Sequence, residues 1–112
     1  RDWILQFIAD VGVTDESIRP LVVSALDDDN CQFLPTVIYL MSTKPELYLD
    51  VGYQLLRLSR HHDREVRWRI AYLISKIRRP DAGMRQAIDI LQTDADDTTQ
   101  VYVRECLKTV DT

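Results

Sequence analysis

Asp63, Val66, Ile70, Ile74 and Ile77 have counterparts at Asp96, Thr99, Val103, Leu107 and Val110, each 33 residues further along the chain. Moved back by 36, the same positions fall on Asp27, Asn30, Leu34, Ile38 and Met41. A capping residue followed by side chains at helical spacing thus recurs three times at a nearly constant period. A unit of that length holds two helices. One helix pair cannot bury both its apolar faces alone, so a core arises only when successive pairs stack. The period therefore predicts an all-α fold, a right-handed α-α superhelix (solenoid) of about three and a half helix-hairpin repeats.

The local signals fill in the units. Trp3, Ile4, Phe7, Ile8 and Val11 recur at helical spacing before Gly12, predicting a helix over 2–11 that forms the second half of an incomplete unit. Helix pairs follow over 14–42, 45–78 and 81–110, making one domain, 1–112. Pro20 and Pro35 are tolerable only in a first helical turn, where a missing N–H breaks no bond. Pro45 is expected to open a helix carrying Leu47, Leu49, Val51, Leu55, Leu56 and Leu58. Asp63 caps the next, and Pro80 with Asp81 and then Asp96 with Asp97 start the last two. Gly12, Gly52 and Gly83 read as helix punctuation. Arg1 is not an initiating residue, so the chain is expected to have been trimmed, processed or cut from something longer.

The stretches IRPLVVSALDDDN and HHDREVRWRIAYLISKI resemble the HEAT repeat, in which an amphipathic helix, a turn with Asp and a Val-Arg pair lead into a second amphipathic helix. Val66 and Arg67 match the Val-Arg pair and Asp63 one of the turn aspartates. The resemblance covers nearly the whole chain and is best in the middle unit. It implies a ladder in which turn Asp and helix Arg join neighbouring repeats, making Arg67 structural. Here His61 stands where another turn Asp is expected and Gln100 replaces the arginine, so the ladder is expected to be broken. Armadillo-like helical repeats remain an alternative.

No apolar run approaches the roughly 20 residues of a membrane span, so no membrane role is expected. Cys31 and Cys106 lie far apart within apolar helical patterns, which reads as buried free thiols and leans towards a reducing compartment such as the cytoplasm. The Asp27–Asp29 run lacks the alternation of a calcium loop, and His61 with His62 lacks further ligands, so no metal and no cofactor is expected. No nucleophile, base and cleft-forming motif converge, and the chain reads as a non-enzyme.

On a helical wheel over 63–77, Val66, Ile70, Leu73, Ile74 and Ile77 share one side while Trp68 and Tyr72, with Arg64, Ser75 and Arg79, fall nearly opposite. An outward row on the second helices of a solenoid lines its concave face, and aromatic rings flanked by arginines suit an interface anchor. Arg64, Trp68, Tyr72 and Arg79 are therefore the candidate partner-binding row. Charge adds a second signal. Residues 57–85 carry nine Lys or Arg against three acids, and the rest five against fifteen, giving the net charge of −4. Arg57, Arg60, Arg69, Lys76 and Arg78 complete this basic patch with Arg64, Arg67, Arg79 and Arg85. The pattern predicts a protein-protein interaction module that binds a partner with an acidic segment. It could serve as a scaffold segment or as a stand-alone inhibitor or immunity-type protein. Nucleic-acid binding through the 57–85 segment is the alternative, weakened by acidic ends and a pI of about 5.0. Self-association through the solenoid ends is the third expectation.

Overall fold

A computed structural model describes residues 16–28 and 31–110, with backbone alone at 109 and 110. The helix expected over 2–11 lies outside the described residues. Six α-helices follow: α1 (Arg19–Leu26), α2 (Leu34–Thr43), α3 (Gly52–Leu58), α4 (Arg64–Ser75), α5 (Ala82–Leu91) and α6 (Asp97–Val110). Single 3-10 turns occupy Glu16–Ile18 and Pro45–Leu47, and no strand occurs among the described residues. Pro20 and Pro35 sit in the first turns of α1 and α2, where proline removes no intrahelical bond. Asp63 accepts the Glu65 N–H at 3.0 Å and Asp81 the Met84 N–H at 2.9 Å, capping α4 and α5.

The helix expected from Pro45 to Leu58 is divided. After the turn at Pro45–Leu47 the chain breaks before α3 begins at Gly52. Around the break Tyr48 and Val51 are buried and Leu49 is exposed. Arg19 closes the break. Its guanidinium donates to the Leu47 carbonyl and, at 2.8 and 2.9 Å, to both Asp50 carboxylate oxygens. It also lies 5.8 Å over the Tyr48 ring. Burial pushes the Tyr48 phenol up, and the Arg19 charge opposes that rise.

Consecutive helices α1 and α2, α3 and α4, and α5 and α6 pack as hairpins. Helices two apart also pack side by side: α2 on α4, α4 on α6, and α3 on α5. All five wheel positions Val66, Ile70, Leu73, Ile74 and Ile77 are buried, as are their equivalents Leu34, Ile38 and Met41 before them and Thr99 and Val103 after them. Each such aliphatic side chain contributes about 1.5–3 kcal/mol on leaving water. The radius of gyration is 13.1 Å, that of any compact chain of this length, about 13 Å.

Gly52 and Gly83 do more than punctuate helices. A β-carbon on Gly83 would lie 2.5 Å from the carbonyl carbon of Gly52, and one on Gly52 would lie 1.9 Å from Asp81 Oδ1. The two glycines let the first turns of α3 and α5 meet backbone to backbone.

The turns before α4 and α6, 33 residues apart, are bonded alike. His61 Nδ1 accepts the Asp63 N–H at 3.1 Å, as Asp94 Oδ1 accepts the Asp96 N–H at 2.9 Å. Arg67 Nη1 donates to the His61 and His62 carbonyls, as Gln100 Nε2 donates to those of Leu91, Gln92 and Asp94. His and Gln thus supply the acceptor and donor that Asp and Arg supply in the other turn. The expected break in the ladder is bridged at one step, where Arg67 Nε donates to Asp94 Oδ2 of the next turn at 2.6 Å.

Asp96 caps α6. The Thr99 N–H at 2.9 Å and hydroxyl at 2.8 Å hold its carboxyl below the usual carboxylate range, with the Arg64 charge adding to them. A folded-state pKa below the unfolded value, about 3.9, stabilises the fold at neutral pH. That contribution is lost as pH falls from about 4 through the folded value. Thermal melts taken from about pH 6 down to about pH 3 are expected to show the wild-type chain losing stability more steeply than Asp96→Asn, with the curves converging at the acid end. Parallel curves would remove the cap from the account.

Cys31 and Cys106 are buried, and neither is in a disulfide. The Cys106 thiol donates to the Ala71 carbonyl at 3.4 Å, tying α6 to α4, and burial pushes its pKa up to about 12.

Candidate functional site

Trp68 and Tyr72 stand one turn apart on the outer side of α4, each half-buried. Tyr102 of α6 lies against both. Its ring stacks on Trp68, with centroids 5.9 Å apart and planes at 22°, and meets Tyr72 edge-on at 5.0 Å. The Arg69 guanidinium sits 4.7 Å over the Trp68 ring and 5.8 Å over Tyr39 of α2, while Lys76 Nζ lies 5.0 Å over Tyr72. Tyr39, Arg69, Trp68, Tyr102, Tyr72 and Lys76 therefore form an unbroken aromatic-cation strip across α2, α4 and α6. Tyr39, 51% exposed, is its most open ring.

Arg69 is held by its neighbours rather than by a strong ion pair. Its Nε lies 3.5 Å from Glu65 Oε2, close enough for charge attraction but not for a hydrogen bond, so the buried N–H lacks an acceptor among the described residues. The two rings stabilise the cation in its place.

The candidate residues are distributed unevenly. Arg64 is exposed and pairs with Asp96 at 3.1 Å, so it links α4 to the cap of α6. Trp68 and Tyr72 lie in the strip. Arg79 lies beyond it, because α4 ends at Ser75 and the chain turns away into the following loop. Of the basic patch, Arg57 donates to the Leu26 carbonyl, Arg69 and Lys76 belong to the strip, and Arg60 and Arg78 are exposed. Tyr39 and Tyr102 escape the sequence reading because the shifts of 36 and 33 residues align Trp68 with Gln32 and Val101, and Tyr72 with Thr36 and Glu105. A signal for Tyr102 is nonetheless present: it follows Thr99 by three and precedes Cys106 by four, at the edge of a buried helical face.

Trp68 is neither sealed in the core nor free. Alanine at position 68 would remove ring contacts within the fold as well as surface, so it cannot separate docking from folding. The His61 and His62 rings stack at 4.3 Å, with His61 Nδ1 engaged in the turn. Among the described residues no three His, Cys, Asp or Glu side chains converge as a metal site, and no helix is long and apolar enough to cross a membrane. Compared with known proteins, the chain matches no family model, no curated protein and no solved structure.

Proposed function

We propose that this chain is a non-catalytic protein-interaction module built as a HEAT-like α-solenoid, which docks a partner protein on the outer face of the α2–α4–α6 layer. Side-by-side packing of helices two apart and the matched bonding of the two turns support the solenoid plan. The observation that carries the functional reading is the strip itself. Its rings and cations are already packed on one another, so little side-chain freedom is lost on docking. Tyr, Trp and Arg are also the residue types that anchor interfaces. Two buried cysteines outside any disulfide favour a reducing compartment such as the cytoplasm.

Nucleic acid is less well supported. Arg64, Arg67 and Arg69 each face a carboxylate, and the Trp68 ring already carries a guanidinium and a tyrosine, which leaves little open surface for base stacking. Self-association through the last helix is also less well supported. Val103 and Cys106 are buried and Arg104, Glu105 and Lys108 point outward, which leaves Val101 as the large apolar side chain exposed there.

Site-specific photocrosslinking tests the proposal. Tyr39 is replaced by a benzophenone amino acid and, in a second chain, Tyr53 of α3, 74% exposed in the other layer. Position 39 is expected to give a discrete crosslinked protein that excess wild-type chain competes away, and position 53 none. Equal yields at the two positions, or no adduct at 39, would contradict it.

A further inference from the structure

At the C-terminal end of α4 a groove of about 300 Å³ opens between the loop after α2 and the loop after α4. Its floor is apolar: Pro45, Ile77 and Leu49, the last 52% exposed. Lys76, Arg78 and Arg79 stand around it, all exposed. None of the three has a carboxylate partner among the described residues. Glu46 is the single acid on the rim.

This differs from the other end of the same helix. There Arg64 is paired with Asp96 and Arg67 with Asp94, so those cations are neutralised within the fold. The basic segment is thus divided by α4 itself, which is about 18 Å long. Its N-terminal cations hold hairpins together, and its C-terminal cations face solvent beside an apolar hollow. Attraction to the helix dipole accounts for basic residues near a helix C-terminus. It does not account for a concave apolar floor beneath them, nor for a leucine left half open at its edge.

We infer that this groove binds an acidic peptide segment of a partner protein, with one aliphatic or aromatic side chain seated on Pro45, Leu49 and Ile77 and flanking carboxylates on Arg78, Arg79 and Lys76. Planar guanidinium groups fork onto carboxylates in two parallel hydrogen bonds, which fixes the register of the segment. Phosphate of a nucleic acid matches the cations but leaves the apolar floor unfilled. A bilayer surface matches charge and apolarity but is flat, and cannot fill a hollow. The inference rests on the reading of the chain as an interaction module, and places a second contact of different chemistry beside the strip, joined to it through Lys76.

Fluorescence anisotropy of a short fluorescein-labelled peptide, one central Leu flanked by Glu residues, titrated with the full chain tests it. The peptide is expected to bind, more weakly as salt rises. Arg78→Glu with Arg79→Glu is expected to weaken binding about ten-fold or more, and Leu49→Ser several-fold. These positions are exposed and lie outside the helices, so unchanged melting of the variants accompanies the loss. Tyr39→Ser, on the strip, is expected to leave the peptide affinity unchanged, which keeps a failure of the groove distinct from a failure of the strip. The inference is overturned if the wild-type chain does not bind the peptide, or if the charge-reversed chain binds it equally well. It is overturned too if Tyr39→Ser weakens the peptide as much as the groove variants do. Tighter binding of a single-stranded oligonucleotide or of phosphatidylserine vesicles at the same salt would likewise reassign the cations.

Discussion

Gly83→Ala is expected to destabilise the chain by about 2–3 kcal/mol and to lower its melting temperature by about 10 °C. Helix propensity alone predicts the opposite sign, since alanine in a helix is favoured over glycine by about 1 kcal/mol. The contact decides. The new methyl would sit 2.5 Å from the Gly52 carbonyl carbon and 2.9 Å from the Tyr53 nitrogen, both backbone atoms, so α3 and α5 must move apart along the row of buried side chains they share. At Gly52 the nearest obstacle is the Asp81 carboxylate. That side chain can rotate away at the cost of its cap on α5, so Gly52→Ala should cost only about 1 kcal/mol. Thermal and denaturant melts of the two variants check the order. A Gly83→Ala chain more stable than wild type would mean that these helices do not touch there.

Arg67→Ala is expected to cost about 3 kcal/mol. Arg67 donates to Asp94 at 2.6 Å and to the His61 and His62 carbonyls at 2.9 and 3.0 Å. Its side chain is only 23% exposed and that of Asp94 only 11%. Charged hydrogen bonds of this kind contribute about 1.5–3 kcal/mol net, and deletion also leaves Asp94 short of its cation. The three bonds act as one clamp, so they do not add. Arg67→Lys should recover less than half the loss, because an ammonium cannot reach a carboxylate and two carbonyls from one plane. Arg64 is the control. Its side chain is 65% exposed, and Arg64→Ala should cost no more than about 1 kcal/mol. Equal losses for the two arginines in urea titrations would contradict the assignment of Arg67 as the joint between hairpins.

The all-helical fold and most helix limits were legible because helical period, proline position and capping aspartates are local signals. The wheel over 63–77 separates Val66, Ile70, Leu73, Ile74 and Ile77 correctly from Trp68 and Tyr72, since one helix's faces depend on its own sequence. What sequence could not convey depends on another part of the chain. The run that opens at Pro45 is split where Arg19, from another helix, binds the Leu47 carbonyl and the Asp50 carboxylate. Gly52 and Gly83 read only as punctuation until α3 and α5 are seen in contact. Gln100 and His61 look like lost ladder residues, yet hydrogen-bond geometry accepts them because a carboxamide and an imidazole offer the required donor and acceptor. The candidate row was half legible for the same reason. Trp68 and Tyr72 follow from the wheel, but Arg79 was placed by extending a helix that ends at Ser75. Tyr102 and Tyr39 enter the strip only through the packing of α2, α4 and α6.

The docking face exists only if that packing brings rings from separate hairpins together on open surface. Proton NMR on the chain with Trp3→Phe, leaving one indole, measures it directly. Nuclear Overhauser contacts are expected between the Trp68 indole and the Tyr102 ring and between the Tyr72 and Tyr102 rings, with the indole still broadened by a soluble paramagnetic probe. An indole that instead contacts the methyl groups of Val66, Ile70 or Ile74 and is shielded from the probe would contradict the stack and remove the docking face with it.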